Sequence, residues 1–262
     1  ITQVEFDQLV NQSRRHGQTG RLPRYIPTFA RANPRWFAAQ IHTVTDQVLT
    51  AGDTGVVFSL MSVVKLFVLL YLLEQMGPEQ VFCYVGTQPS DMPFNSIAQL
   101  QADQGFPRNP MLNSGAIALV SLFPGYNGAE KCERFRRWLN QRSGANLTID
   151  RHTLASVKSL PNEQNRAIAQ LLGQSNKLAS AVGDAIDTYE RVCCLAGQVG
   201  DLAKLGLLLA HPGATVQPRH CRMVVALMVT CGLYEASSRF ALEVGIPSKS
   251  DTCRKNEDCT RE

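Results

Sequence analysis

Ser62 and Lys65 lie three residues apart in the run Phe58-Ser59-Leu60-Met61-Ser62-Val63-Val64-Lys65. On a helix, residues at that spacing share a face, so the amine can lie beside the hydroxyl. A serine hydroxyl is a weak nucleophile until a neighbouring group takes its proton. A lysine among apolar side chains holds its own proton less tightly and can act as that base. Val63, Val64, Leu66, Phe67, Val68, Leu69 and Leu70 supply such surroundings. The same tetrad also fits a plainer structural role, a helix with a serine cap and a lysine reaching toward solvent. What favours chemistry is the setting, a strand-like stretch before the serine and an unusually apolar helix after it.

The elements that must position this pair are legible at low resolution. Val4 to His16 suits an amphipathic helix ending at Gly17. Trp36 to Val44 and Val48 to Ala51 read as strands around an Asp46-Gln47 turn, and Gly52, Asp53 and Gly55 precede a further strand over Val56 to Leu60. The helix from Ser62 should stop near Met76-Gly77-Pro78. From Gln88 to Pro110 the chain is rich in Pro, Gly, Asn and Asp and reads as loop, with a short helix near Ile97 to Gln101. Helices are expected over Met111 to Leu122, Ala129 to Gln141, Arg151 to Lys158, Glu163 to Leu172, Leu178 to Cys194, Asp201 to Ala210 and Pro218 to Cys231. Phe240 to Ile246 reads as a strand. Strands at the two ends around a helical middle (about 62–231) give an α+β fold, with an antiparallel sheet from both chain ends packed against a large helical region.

The 262 residues allow one large domain or two small ones. A formal net charge of +4 with no basic, aromatic-laced stripe argues against nucleic acid. No apolar run reaches the roughly 18 residues of a membrane helix. The N-terminus, Ile1-Thr2-Gln3-Val4-Glu5, has neither the basic nor the apolar region of a signal peptide, although it does not begin with methionine. The eight cysteines form no C-x-x-C pair and lie mostly in apolar helical stretches, which suits buried thiols in a reducing cytoplasm. No metal site and no cofactor are expected, and no role is given to the five histidines.

Several further segments accompany the S-x-x-K: Tyr25-Ile26-Pro27, Pro93-Phe94-Asn95-Ser96, the long Gly105-Phe106-Pro107-Arg108-Asn109-Pro110-Met111-Leu112-Asn113-Ser114-Gly115-Ala116, Asn165-Arg166-Ala167, Cys231-Gly232-Leu233-Tyr234 and Pro247-Ser248-Lys249-Ser250. Together they resemble the serine-dependent glutaminases, which share the β-lactamase and penicillin-binding-protein fold. The resemblance runs from about Tyr25 to Ser250, so residues 1–250 are expected to form one glutaminase-like domain. It implies hydrolysis of L-glutamine to glutamate and ammonia, a small-molecule substrate, no membrane or nucleic-acid partner, and self-association as a homodimer or homotetramer. It further implies Ser62 as nucleophile, Lys65 as its base and Tyr25 as a phenol near the nucleophile that relays a proton or hydrogen-bonds substrate. Asn113, Asn165, Tyr189 and Tyr234 correspond to the substrate-contacting residues. Neutral Asn and Tyr supply the donors and acceptors that a carboxamide needs. Asn95, Asn109 and Asn113 also fit turns or caps, and Tyr189 and Tyr234 core aromatics with satisfied hydroxyls.

Three positions depart from the pattern. Met61 stands where the family has glutamine. Lys158 stands where the family has a glutamate facing the substrate amino group, so either the local register or the substrate differs. After Lys249-Ser250, where the family continues with glycine, valine and further strands, this chain has Asp251 and Thr252 and a polar stretch to Glu262. That change of composition is expected of a truncated or frame-shifted copy lacking the C-terminal strands, with a disordered tail over 251–262. The strand concerned lines the nucleophile in the family and supplies an oxyanion donor. The alternative to a working hydrolase is therefore a catalytically impaired relative that binds an amino acid or a partner without turnover. A penicillin-recognising enzyme is a more distant rival, since the S-D-N element of that group is not evident.

Overall fold

The computed structural model describes residues 1–16 and 22–251. Gly17 as a helix stop, Cys253, Cys259 and the polar tail from Thr252 onward lie outside the described residues.

Helix α1 (Gln3–His16) packs on a hairpin of β1 (Ala38–His42) and β2 (Val48–Gly52), in register from Ala38 opposite Gly52 to His42 opposite Val48. Phe6, Val10 and Leu49 form a small apolar cluster between them. A one-turn helix α2 (Pro27–Ala30) follows Tyr25. Strand β3 (Phe58–Ser59) then leads through a 3₁₀ turn (Met61–Val64) into α3 (Lys65–Met76). Every residue from Lys65 to Leu73 is buried. A helix apolar on all sides belongs at the centre of a domain, and α3 is the axis on which the rest is laid.

Around it lie α4 (Pro78–Val81), α5 (Ile97–Ala102), α6 (Asn113–Val120), α7 (Gly128–Ser143), α8 (Arg151–Lys158), α9 (Glu163–Gln174), α10 (Val182–Cys193), α11 (Val199–Ala210), α12 (Pro218–Cys231) and α13 (Ser237–Glu243). Helices α6, α7 and α12 pack directly on α3, and α10 bridges α6, α7 and α9. Two short strands, β4 (Thr148–Ile149) and β5 (Leu195–Gly197), complete a second antiparallel sheet in the order β3-β5-β4. Its pairing brings Ser59 opposite Ala196, and Leu60 N–H donates to Leu195 O at 2.7 Å. The residues just before Ser62 are thereby tied to the end of α10.

The mixed α+β class agrees with the reading of the sequence, but the sheet is assembled differently. Phe240 to Ile246, expected as a strand, is largely helix: α13 spans Ser237–Glu243. Phe240, Leu242, Val244 and Ile246 alternate as a half-buried strand does, yet no other strand reaches them. The Ser237 hydroxyl instead braces the turn before the helix, accepting from Leu233 N–H and donating to Tyr234 O, while Arg239 and Glu243 pair one turn apart. Leu242 is left 87% exposed. Among the described residues no strand follows Gly197, so the sheet is not completed from the C-terminal end. Strand β3 also leaves the N-terminal hairpin and pairs with β5. Asp251, expected at the start of an unstructured tail, is packed against Ser62 and Tyr234.

Two glycines in the quoted motifs are required by close approach. A Cβ on Gly115 would lie 2.1 Å from Asn109 O, so only glycine lets α6 sit against the Asn109-Pro110 loop. A Cβ on Gly232 would lie 1.9 Å from Ser248 O, so glycine is what lets the segment after α12 meet the Pro247–Ser250 stretch.

Candidate active site

Ser62 sits in the 3₁₀ turn that opens α3 and is 9% exposed. Met61 before it adopts φ +44°, a left-handed conformation that costs a non-glycine residue energy. Such strain at the residue before a candidate nucleophile is held by the surrounding packing. Lys65 begins the α-helix proper and is 1% exposed. Its ammonium donates to Met111 O at 2.9 Å and to Asn113 Oδ1 at 2.7 Å. Burial lowers its pKa to about 8, against weaker opposing effects of Cys193 and Asp251. At that value about a tenth is the free amine at pH 7, far more than for an exposed lysine, and that is the form a general base requires.

Asn113 is the first residue of α6, delivered there by the Asn109 side chain. Asn109 accepts from Met111 N–H and Leu112 N–H and donates to Gln88 O at 2.7 Å. Asn109 is thus a brace for the loop, whereas Asn113 faces the cavity. Asn113 Oδ1 also accepts from the Tyr189 hydroxyl at 3.1 Å, and Asn113 Nδ2 donates to Asn165 Oδ1 at 2.9 Å. Asn165 Nδ2 donates to Asn162 Oδ1 at 2.8 Å, and Asn162 Nδ2 to Glu190 Oε1 at 2.7 Å. Burial drives the Tyr189 phenol well above its usual range and the Cys193 thiol up to about 12, so the thiol beside this network stays protonated and is no nucleophile.

The structure brings the expected residues to one place. Tyr25, Ser62, Asn113, Asn165 and Tyr189 line a single cavity of about 350 Å³. Tyr25 is on its outer wall, 43% exposed, with its ring edge-on to Phe29. Tyr234 is buried, and the nearby Ser62 side chain lowers its phenol's pKa against the larger rise that burial causes. Its ring packs on Phe94 at 5.1 Å, and the Lys65 ammonium lies 5.9 Å from the ring centroid. Tyr234 also accepts from Lys249 Nζ at 3.0 Å and donates to Asp251 O at 3.3 Å. Burial raises the phenol's pKa, so it remains protonated. Tyr234 is held at φ +55°.

Three features were not foreseen. Asp251 Oδ1 accepts from Ser62 N–H at 3.1 Å, so a carboxylate stands where that N–H would meet a developing oxyanion. Burial pushes the Asp251 carboxyl above its usual range, although the Ser62 N–H, Lys249 and Lys65 pull the other way. The only sequence signal was its replacement of the family glycine. Second, Lys158 is turned out of the cavity and pairs with Asp187, which also pairs with Arg191. The anticipated clash of a cation with a substrate ammonium does not arise. Third, Glu190 lines the cavity and is 8% exposed. It follows Tyr189 directly, a position that helical periodicity alone does not mark as facing the same site.

Among the described residues no helix is long and apolar enough to cross a membrane.

Comparison with known proteins agrees with this geometry. The Glutaminase family model matches residues 20–253. A glutaminase of Synechocystis sp. is 43% identical over 250 residues, which cover 95% of this chain and 76% of that protein. A glutaminase of Geobacillus kaustophilus is 32% identical, over 95% of this chain and 83% of its own. Among solved structures, the probable glutaminase YbaS superposes with a TM-score of 0.88 at 31% identity, covering 96% of this chain and 84% of its own. The Bacillus subtilis glutaminase YbgJ, solved as a covalent complex with 5-oxo-L-norleucine, superposes with a TM-score of 0.84 at 26% identity over 95% of this chain and 81% of its own. The expected β-lactamase-like α+β fold is the one these structures share with the present chain. Motifs, fold and relatives agree, and the chain belongs to the glutaminase family.

Proposed function

We propose that this chain hydrolyses the side-chain amide of L-glutamine through an ester on Ser62. The observation that carries this reading is the buried Lys65, its pKa held near 8, in one hydrogen-bonded cluster with the amides and phenols of the Ser62 cavity. In this scheme Ser62 Oγ attacks the side-chain amide carbon of glutamine. Its proton passes by way of the Tyr234 hydroxyl to the Lys65 amine. The carbon–nitrogen bond then breaks, and that proton leaves with the nitrogen as ammonia. Water attacks the ester, Lys65 takes and returns a proton again, and glutamate departs with Ser62 restored. Asn113, Asn165 and Tyr189 bind the substrate, and Tyr25 hydrogen-bonds it from the outer wall. The covalent complex of YbgJ, formed by reaction with 6-diazo-5-oxo-L-norleucine, supports an enzyme-bound intermediate in the family. Ammonia release from L-glutamine by wild type and Ser62→Ala tests the scheme; equal release from both would refute it.

A second reading has a specific observation in its favour. The Asp251 carboxylate on Ser62 N–H would oppose the charge that develops on the amide oxygen. In that reading the chain binds an amino acid without turning it over. Calorimetric binding of L-glutamine with no ammonia release would select it.

Residues 1–250 act as one functional unit in either case. The six free cysteines among the described residues suit a reducing cytoplasm. The family resemblance points to a homodimer or homotetramer, which sedimentation equilibrium would measure.

A further inference from the structure

The cavity amides form a chain with a definite direction. A lysine ammonium only donates, so the Asn113 oxygen must face Lys65 and the Asn113 NH₂ must point away. That NH₂ meets the Asn165 oxygen, the Asn165 NH₂ meets the Asn162 oxygen, and the Asn162 NH₂ meets Glu190. A carboxylate only accepts, so the far end is pinned as firmly as the near one. The amides of one cavity wall thus link a cation buried behind them, Lys65, to an anion, Glu190, that lines the cavity. Asn162 stands at the N-cap of α9 with φ +47° and makes no capping bond with its side chain, which serves this chain of amides instead.

Glu190 is 8% exposed, beside the apolar Val157, Leu160 and Pro161 of the same cavity. The hydrogen bond its carboxylate receives comes from a neutral amide, and among the described residues no ion pair involves it. A buried carboxylate is costly to leave without a cationic partner. Lys158, at the position where the family resemblance leads one to expect the acidic residue, is committed to Asp187 outside the cavity.

Resting on the glutamine reading above, we propose that Glu190 is the residue that receives the substrate's α-ammonium, so that the anion missing at position 158 is supplied from α10. The polarity of the wall then orients the substrate. The ammonium is drawn to the Glu190 end and repelled from the Lys65 end, which leaves the carboxamide at Ser62. Substrates with a cationic amino group are selected, and analogues without one are disfavoured.

The test uses the full chain carrying Ser62→Ala, so that no turnover occurs, and the same chain with Glu190→Gln added. Each is titrated calorimetrically with L-glutamine and with glutaramate, which is glutamine without its α-amino group. Glu190→Gln removes the charge but keeps a side-chain oxygen that still accepts from Asn162, so a purely structural role would leave binding unchanged. The Ser62→Ala protein should prefer L-glutamine by about tenfold or more, as expected for a charge-assisted contact. With Glu190→Gln that ratio should fall to near one while glutaramate affinity is retained. A ratio that survives Glu190→Gln overturns the assignment, as does an absent preference before that change or a loss of both ligands on making it. If the assignment fails while wild type still releases ammonia, the glutamine reading stands. If the Ser62→Ala protein binds neither ligand and wild type releases no ammonia, both fail.

Discussion

On one side of the Ser62 cavity, α6 packs on α3, α9 and α10, and these helices present Lys65, Asn113, Asn165 and Tyr189 with their polar atoms joined through Asn113. On the other side, residues 232–251 carry Tyr234 at φ +55°, an α13 that leaves Leu242 exposed, and a carboxylate on the Ser62 N–H. The first side is set by the core itself: α3 is buried over its first nine residues, and each buried Leu there adds about 1.5–3 kcal/mol. The second side is anchored by the buried Tyr234 ring on Phe94, by α13 against α12 and by hydrogen bonds among Lys249, Tyr234 and Asp251. The difference separates two requirements of one reaction. In the proposed reaction, tuning the base and holding the carboxamide fall to the helical side, and accommodating the oxyanion falls to the C-terminal side.

This division can be broken experimentally. The largest effect is expected from Lys65→Ala, which should lower ammonia release about 10²–10⁴-fold, the range for loss of a general base; a smaller loss in a steady-state assay would move the base elsewhere. Next is Asp251→Gly on the opposite side. If the carboxylate obstructs the oxyanion site, its removal should raise release by about 10²-fold, comparable to restoring one donor. An unchanged rate would mean that Asp251 yields its place when substrate binds.

The pH–rate profile joins the two sides. Lys65 must be neutral to act, so the rate should climb as pH rises through about 8. Asp251 raises that pKa, so Asp251→Gly should move the midpoint to lower pH. A midpoint that moves upward, or stays in place, would uncouple the sides.

The smallest effects concern stability. Gly115→Ala forces a Cβ against Asn109 O within the core and should cost about 1–3 kcal/mol in urea denaturation. Gly232→Ala meets Ser248 O at the end of α12, where the 247–250 stretch can shift away, and should cost less. Equal costs would show that the C-terminal side is as firmly built as the helical one.

The helices were legible where periodicity is long and punctuated. Arg151–Lys158 and Pro218–Cys231 begin and end where Asp150 caps the first and Pro218 opens the second. Strand β5 was hidden because Leu195-Ala196-Gly197 is three buried residues following a helix, with no period of its own. The misassigned Phe240–Ile246 shows the converse. Alternation is a strand signal only if an edge is available to pair with, and here the segment coils into α13. Among the candidate site residues, Tyr25, Asn113, Asn165, Tyr189 and Tyr234 stand out by motif. Asn162 and Glu190 do not, because their meaning lies in the direction of a hydrogen-bond chain that crosses α6, α9 and α10.

By itself the sequence determined that a serine opens an apolar helix with an amine one turn on, and that this amine would be desolvated. Both facts follow from neighbours in the chain, where spacing and side-chain type suffice. Only the tertiary structure decided what meets that serine: from 189 residues away, Asp251 at its N–H, itself joined to the buried Tyr234. It also turned Lys158 outward and set Glu190 within. Such pairings depend on how helices cross and where the backbone approaches itself, and no local pattern of residues carries that geometry.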